Sequence, residues 1–308
     1  MTEGKKRSGW VAFLLVLLPL WLIGSGGGAL WYYFHKEKKQ ALVEQERFAQ
    51  AVSTPLLTDD LRKLIEVIGE RNSSSESAAA NLSRTAVMIE GLLGPSNTGY
   101  AVTLNRGPSD WPILQVNIAG KDPKAPALWI VSSYDSRAGS RGVEGNATGL
   151  AATLAAAQAM AGDKPSVAVH FIFLPHANDS ESPVVETAGK FSELVKAAGG
   201  AKAIIVVEAM GAGEMLWLSS RESSAAPLNL AGGLGAVHGA EDVCLGDDTD
   251  LASMLFEMNL PAVRVSTRAH LAADEPDEKP PFAPTVAAST GRLIELIRRC
   301  VAPPKNRD

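Results

Sequence analysis

The spacing of apolar residues changes character three times along the chain. Between Trp10 and Tyr33 no charged residue occurs. Roughly 24 residues at about 1.5 Å each reach about 36 Å, enough to cross a bilayer with some tilt. Trp10 at one end and Trp31, Tyr32 and Tyr33 at the other are the aromatic residues that favour the headgroup level. From Lys36 to about Val52 the composition turns to Lys, Glu, Gln and Ala, which predicts a spacer helix closed by Pro55. A helix is expected next from Thr58 as N-cap, with Leu61, Leu64, Ile65 and Ile68 on one face. Another carries Leu82, Ala86, Ile89 and Leu93 until Gly94-Pro95 ends it.

Beyond that point the apolar runs become short and β-branched. Tyr100 to Leu104, Leu114 to Ala119, Ala127 to Ser132, Val167 to Leu174, Ala203 to Glu208 and Glu214 to Leu218 read as strands. Several are apolar on both faces, which fits strands covered by helices above and below. Helical stretches at Thr148 to Met160, Lys190 to Ala198 and Thr285 to Cys300 lie between and after them. The alternation predicts an α/β domain, a three-layer sandwich around a mostly parallel central sheet, preceded by one transmembrane helix. The expected boundaries are a tail at 1–9, an anchor at 10–34, a spacer at 35–54, the α/β domain at 55–303 and a tail at 304–308.

Charge and cysteine content narrow the partners. A net charge of −5 with no basic block outside the anchor flanks argues against nucleic acid. Cys244 and Cys300 stand too far apart for a metal knuckle and are too few for a disulfide framework, leaving two thiols or one disulfide. The bilayer is the expected partner of residues 10–34. A cleaved signal peptide is the rival, but apolar and aromatic character resumes after Gly26-Gly27-Gly28, where a mature N-terminus would begin polar. Lys5, Lys6 and Arg7 are nearly balanced by Lys36, Lys38 and Lys39. The short N-terminal tail tips the orientation inward and places the domain outside the cytoplasm.

In such sheets ligands bind beyond the carboxyl ends of the strands, so Ser133 to Gly149, Pro175 to Pro183, Glu208 to Gly213 and Thr267 to Asp277 are the segments of interest. They read Ile130-Val-Ser-Ser-Tyr-Asp-Ser136, Gly142-Val-Glu-Gly-Asn-Ala-Thr-Gly149, Phe171-Ile-Phe-Leu-Pro-His-Ala-Asn178, Val206-Val-Glu-Ala-Met-Gly211 and Ala269-His-Leu-Ala-Ala-Asp-Glu-Pro-Asp277. In this order and spacing, with Asn259-Leu-Pro-Ala262 before the last strand, they resemble the metal-binding loops of the co-catalytic zinc exopeptidases related to secreted leucyl aminopeptidases and aminopeptidase Y. The resemblance covers Leu56 to Val301 and implies that family's fold.

It implies a site as well. Members hold two zinc ions with two His and three carboxylates, and a Glu beside one ligand is the general base. Carried over, the first His falls on Ser133, the bridging Asp on Gly145, the base on Ala177 and its neighbouring ligand on Asn178. Only Glu208 and His270 keep metal-ligating chemistry at family positions; Asp135, His176 and Asp179 are the substitutes at hand. Asp135 also reads as a strand-end hydrogen-bond acceptor. No cofactor is expected, zinc being the one the pattern leaves open. The resemblance thus implies a membrane-anchored pseudopeptidase that binds a peptide or protein partner at the former active-site cleft. The alternatives are a metallopeptidase or hydrolase using substitute ligands, and a structural component of a membrane assembly. Asn72, Asn81, Asn146 and Asn178 stand in glycosylation sequons.

Overall fold

The computed structural model describes residues 17–18, 21, 25–36, 52–178, 184–220, 240–244, 251–268 and 276–302. The chain divides into two units, Met1–Arg47 and Phe48–Asp308. In the first, residues 25–36 are helical, with Leu30, Trp31, Tyr32, Tyr33 and Phe34 exposed and the Trp31 and His35 rings stacked at 5.2 Å. Among the described residues no helix is long and apolar enough to cross a membrane. Much of the expected span, and all of the spacer but its ends, lies outside them.

The second unit opens with α1 (Thr54–Arg62), which runs on into a π-helical segment, Lys63–Ile68. Thr58 does not cap this helix as expected. Ser53 holds the cap position, Pro55 lies in the first turn, and the Thr58 hydroxyl donates to the Thr54 carbonyl at 2.8 Å. Proline suits that turn because its missing N–H would have had no helical partner. Helix α2 (Glu76–Leu93) follows, its Ser75 hydroxyl accepting the Ala78 N–H.

An eight-stranded sheet then forms among the described residues. Its strands are β1 (Val102–Arg106), β2 (Pro112–Ile118), β3 (Ala127–Ser133), β4 (Val169–Leu174), β5 (Ala201–Val207), β6 (Leu216–Ser220), β7 (Ala240–Cys244) and β8 (Ala262–Ser266), in the order β1-β2-β4-β3-β5-β8-β6-β7. The central β4, β3, β5 and β8 run parallel, while β1, β2 and the β6–β8 pair are antiparallel. The sheet is therefore mixed, with the parallel character confined to its middle and to the β6–β7 pair.

Alternate residues of each central strand face two separate cores. Leu128, Ile130, Phe171, Phe173, Ile205 and Val263 pack with α1, α2, α3 (Thr148–Ala159) and α6 (Ala283–Cys300). Trp129, Val131, Ile172, Ile204 and Val206 pack with α4 (Val184–Ala197) and α5 (Leu251–Glu257). Each of these wholly buried apolar side chains contributes about 1.5–3 kcal/mol. Helix α4 begins at Val184 rather than Lys190, and neither α5 nor β7 was legible in the sequence. Both are short, and β7 reads Ala-Glu-Asp-Val-Cys, which lacks a strand's apolar run. Cys300 is a buried free thiol, which burial pushes up to about 11.

Candidate functional site

Helix α3, which follows β3, packs in the larger core, and α4, which follows β4, packs in the smaller one on the opposite face. The chain thus leaves neighbouring parallel strands in opposite directions, and a crevice opens at their carboxyl ends. That crevice is a cleft of about 210 Å³, lined in part by Ser133, Gly145, Ala177, Asn178, Glu208 and Arg264. Five positions carried over from the resemblance, Ser133, Gly145, Ala177, Asn178 and Glu208, therefore meet in one place.

Two glycines let the loops close around it. Gly142 has φ +57°, and a Cβ there would sit 2.7 Å from that of Ser136. Gly149 brings the first turn of α3 against the end of β5, where a Cβ would lie 1.9 Å from the Glu208 carbonyl oxygen. The Thr148 hydroxyl accepts the Met210 N–H at 2.9 Å, which ties the same two segments.

The floor is a chain of hydrogen-bonded polar groups. The Ser133 hydroxyl accepts from Asn146 Nδ2 at 2.8 Å and from Asn178 Nδ2 at 2.6 Å. The Asp135 carboxylate accepts the backbone N–H of Ala177 and of Asn178, the latter at 2.7 Å. Beneath them the wholly buried Arg71 donates to Asn146 Oδ1, to the Gly69 carbonyl at 2.9 Å and to the Arg141 carbonyl at 2.7 Å. Burial draws its guanidinium down to about 10, opposed by the charges of Asp135 and Asp277. Asp135 thus serves as the strand-end acceptor, fixing the turn that presents Asn178.

Acidic groups near the cleft have protein partners of their own. Asp277 accepts the Glu144 N–H at 2.6 Å and the Gly145 N–H at 3.1 Å, so a carboxylate from another loop docks on the backbone at Gly145. Arg141 pairs with Glu278 and fastens the same two loops. Glu144 accepts the Gly211 N–H at 2.8 Å, and its burial pushes its carboxyl up to about 7. Arg264 Nε stands 2.5 Å from the Glu208 carboxylate.

Of the substitute ligands, His176 is buried with its ring edge-on to Trp111 at 6.1 Å and does not line the cleft. Asp179 and His270 lie outside the described residues. The described donors do not fit the two-zinc centre the resemblance implies. Ser133 and Asn178 offer neutral groups engaged with each other, Gly145 and Ala177 offer none, and Glu208 faces a cation. Among the described residues no three of His, Cys, Asp and Glu come together as a metal site would need.

Two of the four sequons are poor modification sites in the folded domain, because Asn72 and Asn146 are buried and their Nδ2 groups are already donating. Sequence reasoning missed Arg71, Glu144, Asp277 and Arg264 as parts of the site. Arg264 left a trace, a lone charge inside Ala262-Val-Arg-Val-Ser266, where a buried strand should be apolar. Arg71 left none, because a single arginine after a helix reads as surface.

No protein-family model and no curated protein matches the chain. Solved structures do. The LapA aminopeptidase of Legionella pneumophila matches with a TM-score of 0.65 at 14% identity, over 85% of this chain and 74% of that one. A leucine aminopeptidase precursor from Bacteroides thetaiotaomicron gives 0.57 at 14% identity, over 80% of this chain and 97% of its own. The glutaminyl cyclase of Porphyromonas gingivalis gives 0.56 at 14% identity, over 80% of this chain and 98% of its own. At such identities the likeness shows the fold alone: the domain has the α/β fold of these aminopeptidases and glutaminyl cyclases.

Proposed function

We propose that the Phe48–Asp308 unit is an aminopeptidase-like binding module, held at a membrane by residues 10–34 with the domain on the extracytoplasmic side. Its cleft takes a peptide or protein partner and does not carry out metal-assisted hydrolysis. The observation that carries this reading is the ion pair inside the cleft. Glu208, the carboxylate that keeps a ligand's chemistry at its family position, is engaged by Arg264. Ala177, at the family's base position, cannot accept a proton, and loss of a positioned base alone costs about 10²–10⁴-fold in rate. The fold does not decide the matter, since its neighbours include both aminopeptidases and glutaminyl cyclases.

The test is made on the full chain purified in detergent. Dialysed protein should carry no stoichiometric zinc and should not hydrolyse aminoacyl anilides in a chelator-sensitive way. Zinc retained at one ion per chain, or hydrolysis abolished by chelation, would overturn the reading. Anchoring is checked separately: the protein should remain in the membrane fraction through salt and alkaline washes, and a soluble form beginning after Gly28 would refute it.

A further inference from the structure

Every residue of β8 is buried, and Arg264 at its centre is 1% exposed. Such a charge is costly unless a partner of opposite sign meets it. Here Nε donates to the Glu208 carboxylate at 2.5 Å, and Nη2 reaches the Arg268 carbonyl at 3.4 Å. Glu208 is 20% exposed and lines the cleft beside it. A half-buried carboxylate at the carboxyl end of a parallel strand is stabilised by contact with a cation. In a metal centre the ion is that cation. In this chain it is a side chain from the neighbouring strand, since β5 and β8 pair in parallel with Val206 opposite Arg264.

We propose that Arg264 supplies, as a fixed part of the chain, the countercharge that a metal ion would give to Glu208, and that by holding this carboxylate it keeps divalent cations out of the cleft. The proposal deepens the non-hydrolytic reading above and rests on it. Guanidinium suits the role because it remains charged throughout the physiological range, is weakly hydrated, and presents its donors in a fixed plane. An incoming divalent ion would meet a positive charge in van der Waals reach of the carboxylate it seeks. To bind, it would have to leave that guanidinium buried and unmatched. On the floor a second wholly buried guanidinium, Arg71, donates to Asn146 Oδ1 and to backbone carbonyls and feels the charges of Asp135 and Asp277 without pairing directly with either. Two fixed cations therefore stand among the acids of a site whose relatives by resemblance use mobile ones.

The experiment is a double-mutant cycle on the full chain, read by thermal melting with chelator and with added zinc. The parent should melt at one temperature in both. Arg264→Gln should lower the melting temperature by about 5 °C and gain a zinc-dependent rise that the parent lacks. Adding Glu208→Gln to that variant should recover at least half of the loss and abolish the zinc response, which a purely space-filling arginine would not produce. Should Arg264→Gln not fold, Arg264→Lys keeps the charge without the planar fork and should show a smaller loss and no zinc response. The proposal is overturned if the double variant is no more stable than Arg264→Gln, if Arg264→Gln stays indifferent to zinc, or if Arg264→Lys responds to zinc. The anilide assay on the parent speaks only to the non-hydrolytic reading, so the two failures are distinguishable.

Discussion

One wall of the cleft, made by the 133–149 loop and Asn178, is fastened by directional hydrogen bonds, whereas the facing wall, made by Val184, Leu251 and Met254, is apolar. The first is built on the larger helical layer and reaches back through Asn146 to a buried guanidinium. The second comes from α4 and from α5, a helix of seven residues. A hydrogen-bonded wall holds its groups at set positions and tolerates little change of shape. A wall containing methionine adapts to what it touches, because the thioether side chain is unbranched and polarisable. The difference assigns orientation of a ligand to the polar wall and accommodation of its bulk to the apolar one.

The contrast can be broken most severely at Gly149. Gly149→Ala places a methyl group 1.9 Å from the Glu208 carbonyl oxygen, and the atoms it meets are all backbone. We expect a loss of about 5 kcal/mol, or failure to fold, measured by denaturant unfolding. Arg71→Met comes next. It strips donors from the Gly69 and Arg141 carbonyls and from Asn146 Oδ1, all of them at buried or half-buried positions, and should cost about 3–4 kcal/mol.

A pH series sharpens the comparison further. Glu144 rises from 4.5 to about 7 because burial disfavours its charge. Between those values the folded chain holds a proton that the unfolded chain has released. Stability from this group therefore falls as pH rises from about 4.5 to about 7 and is flat above it. Glu144→Gln keeps an acceptor for the Gly211 N–H and removes the charge. It should stabilise the protein by about 2–3 kcal/mol at pH 8 and by little near pH 4.5, and melting curves across that range would check it. The smallest effect is expected on the apolar wall, where Met254→Ala should cost about 1 kcal/mol because that side chain is only partly buried. If Met254→Ala proved as damaging as Arg71→Met, the division of labour between the walls would be wrong.

The order of elements was legible because it depends on local pattern. The apolar runs at Ala127 to Ser132 and Val167 to Leu174 fit covered strands, and β3 and β4 are buried nearly throughout. The loops that form the cleft were legible too, since their position follows from the parallel centre of the sheet. Illegible was everything that depends on two distant segments meeting. Nothing around Arg71 says that its guanidinium reaches the 141–146 loop, and nothing at Gly145 says that Asp277 docks on its N–H. His176 misled for the complementary reason. Its place beside the expected base suggested a ligand, but packing against Trp111 turned it elsewhere. Sequence spacing reports which residues sit on one loop, not which way a buried side chain leans.

Cys300 offers a way to time the molecule. Its thiol sits at the last turn of α6, buried and shifted up to about 11, while the Lys202 ammonium donates to its backbone carbonyl at 2.6 Å. A thiol reagent in solution reaches it only when the end of α6 lifts from the sheet. The rate of modification therefore counts openings of the carboxyl-terminal seam, which also carries the Ser166 N–H to Val301 carbonyl bond at 3.0 Å. Where reclosing is faster than modification, the rate gives the free energy of that opening; where it is slower, it gives the opening rate itself. A residue that does not line the cleft becomes the clock by which the stability of its scaffold is read.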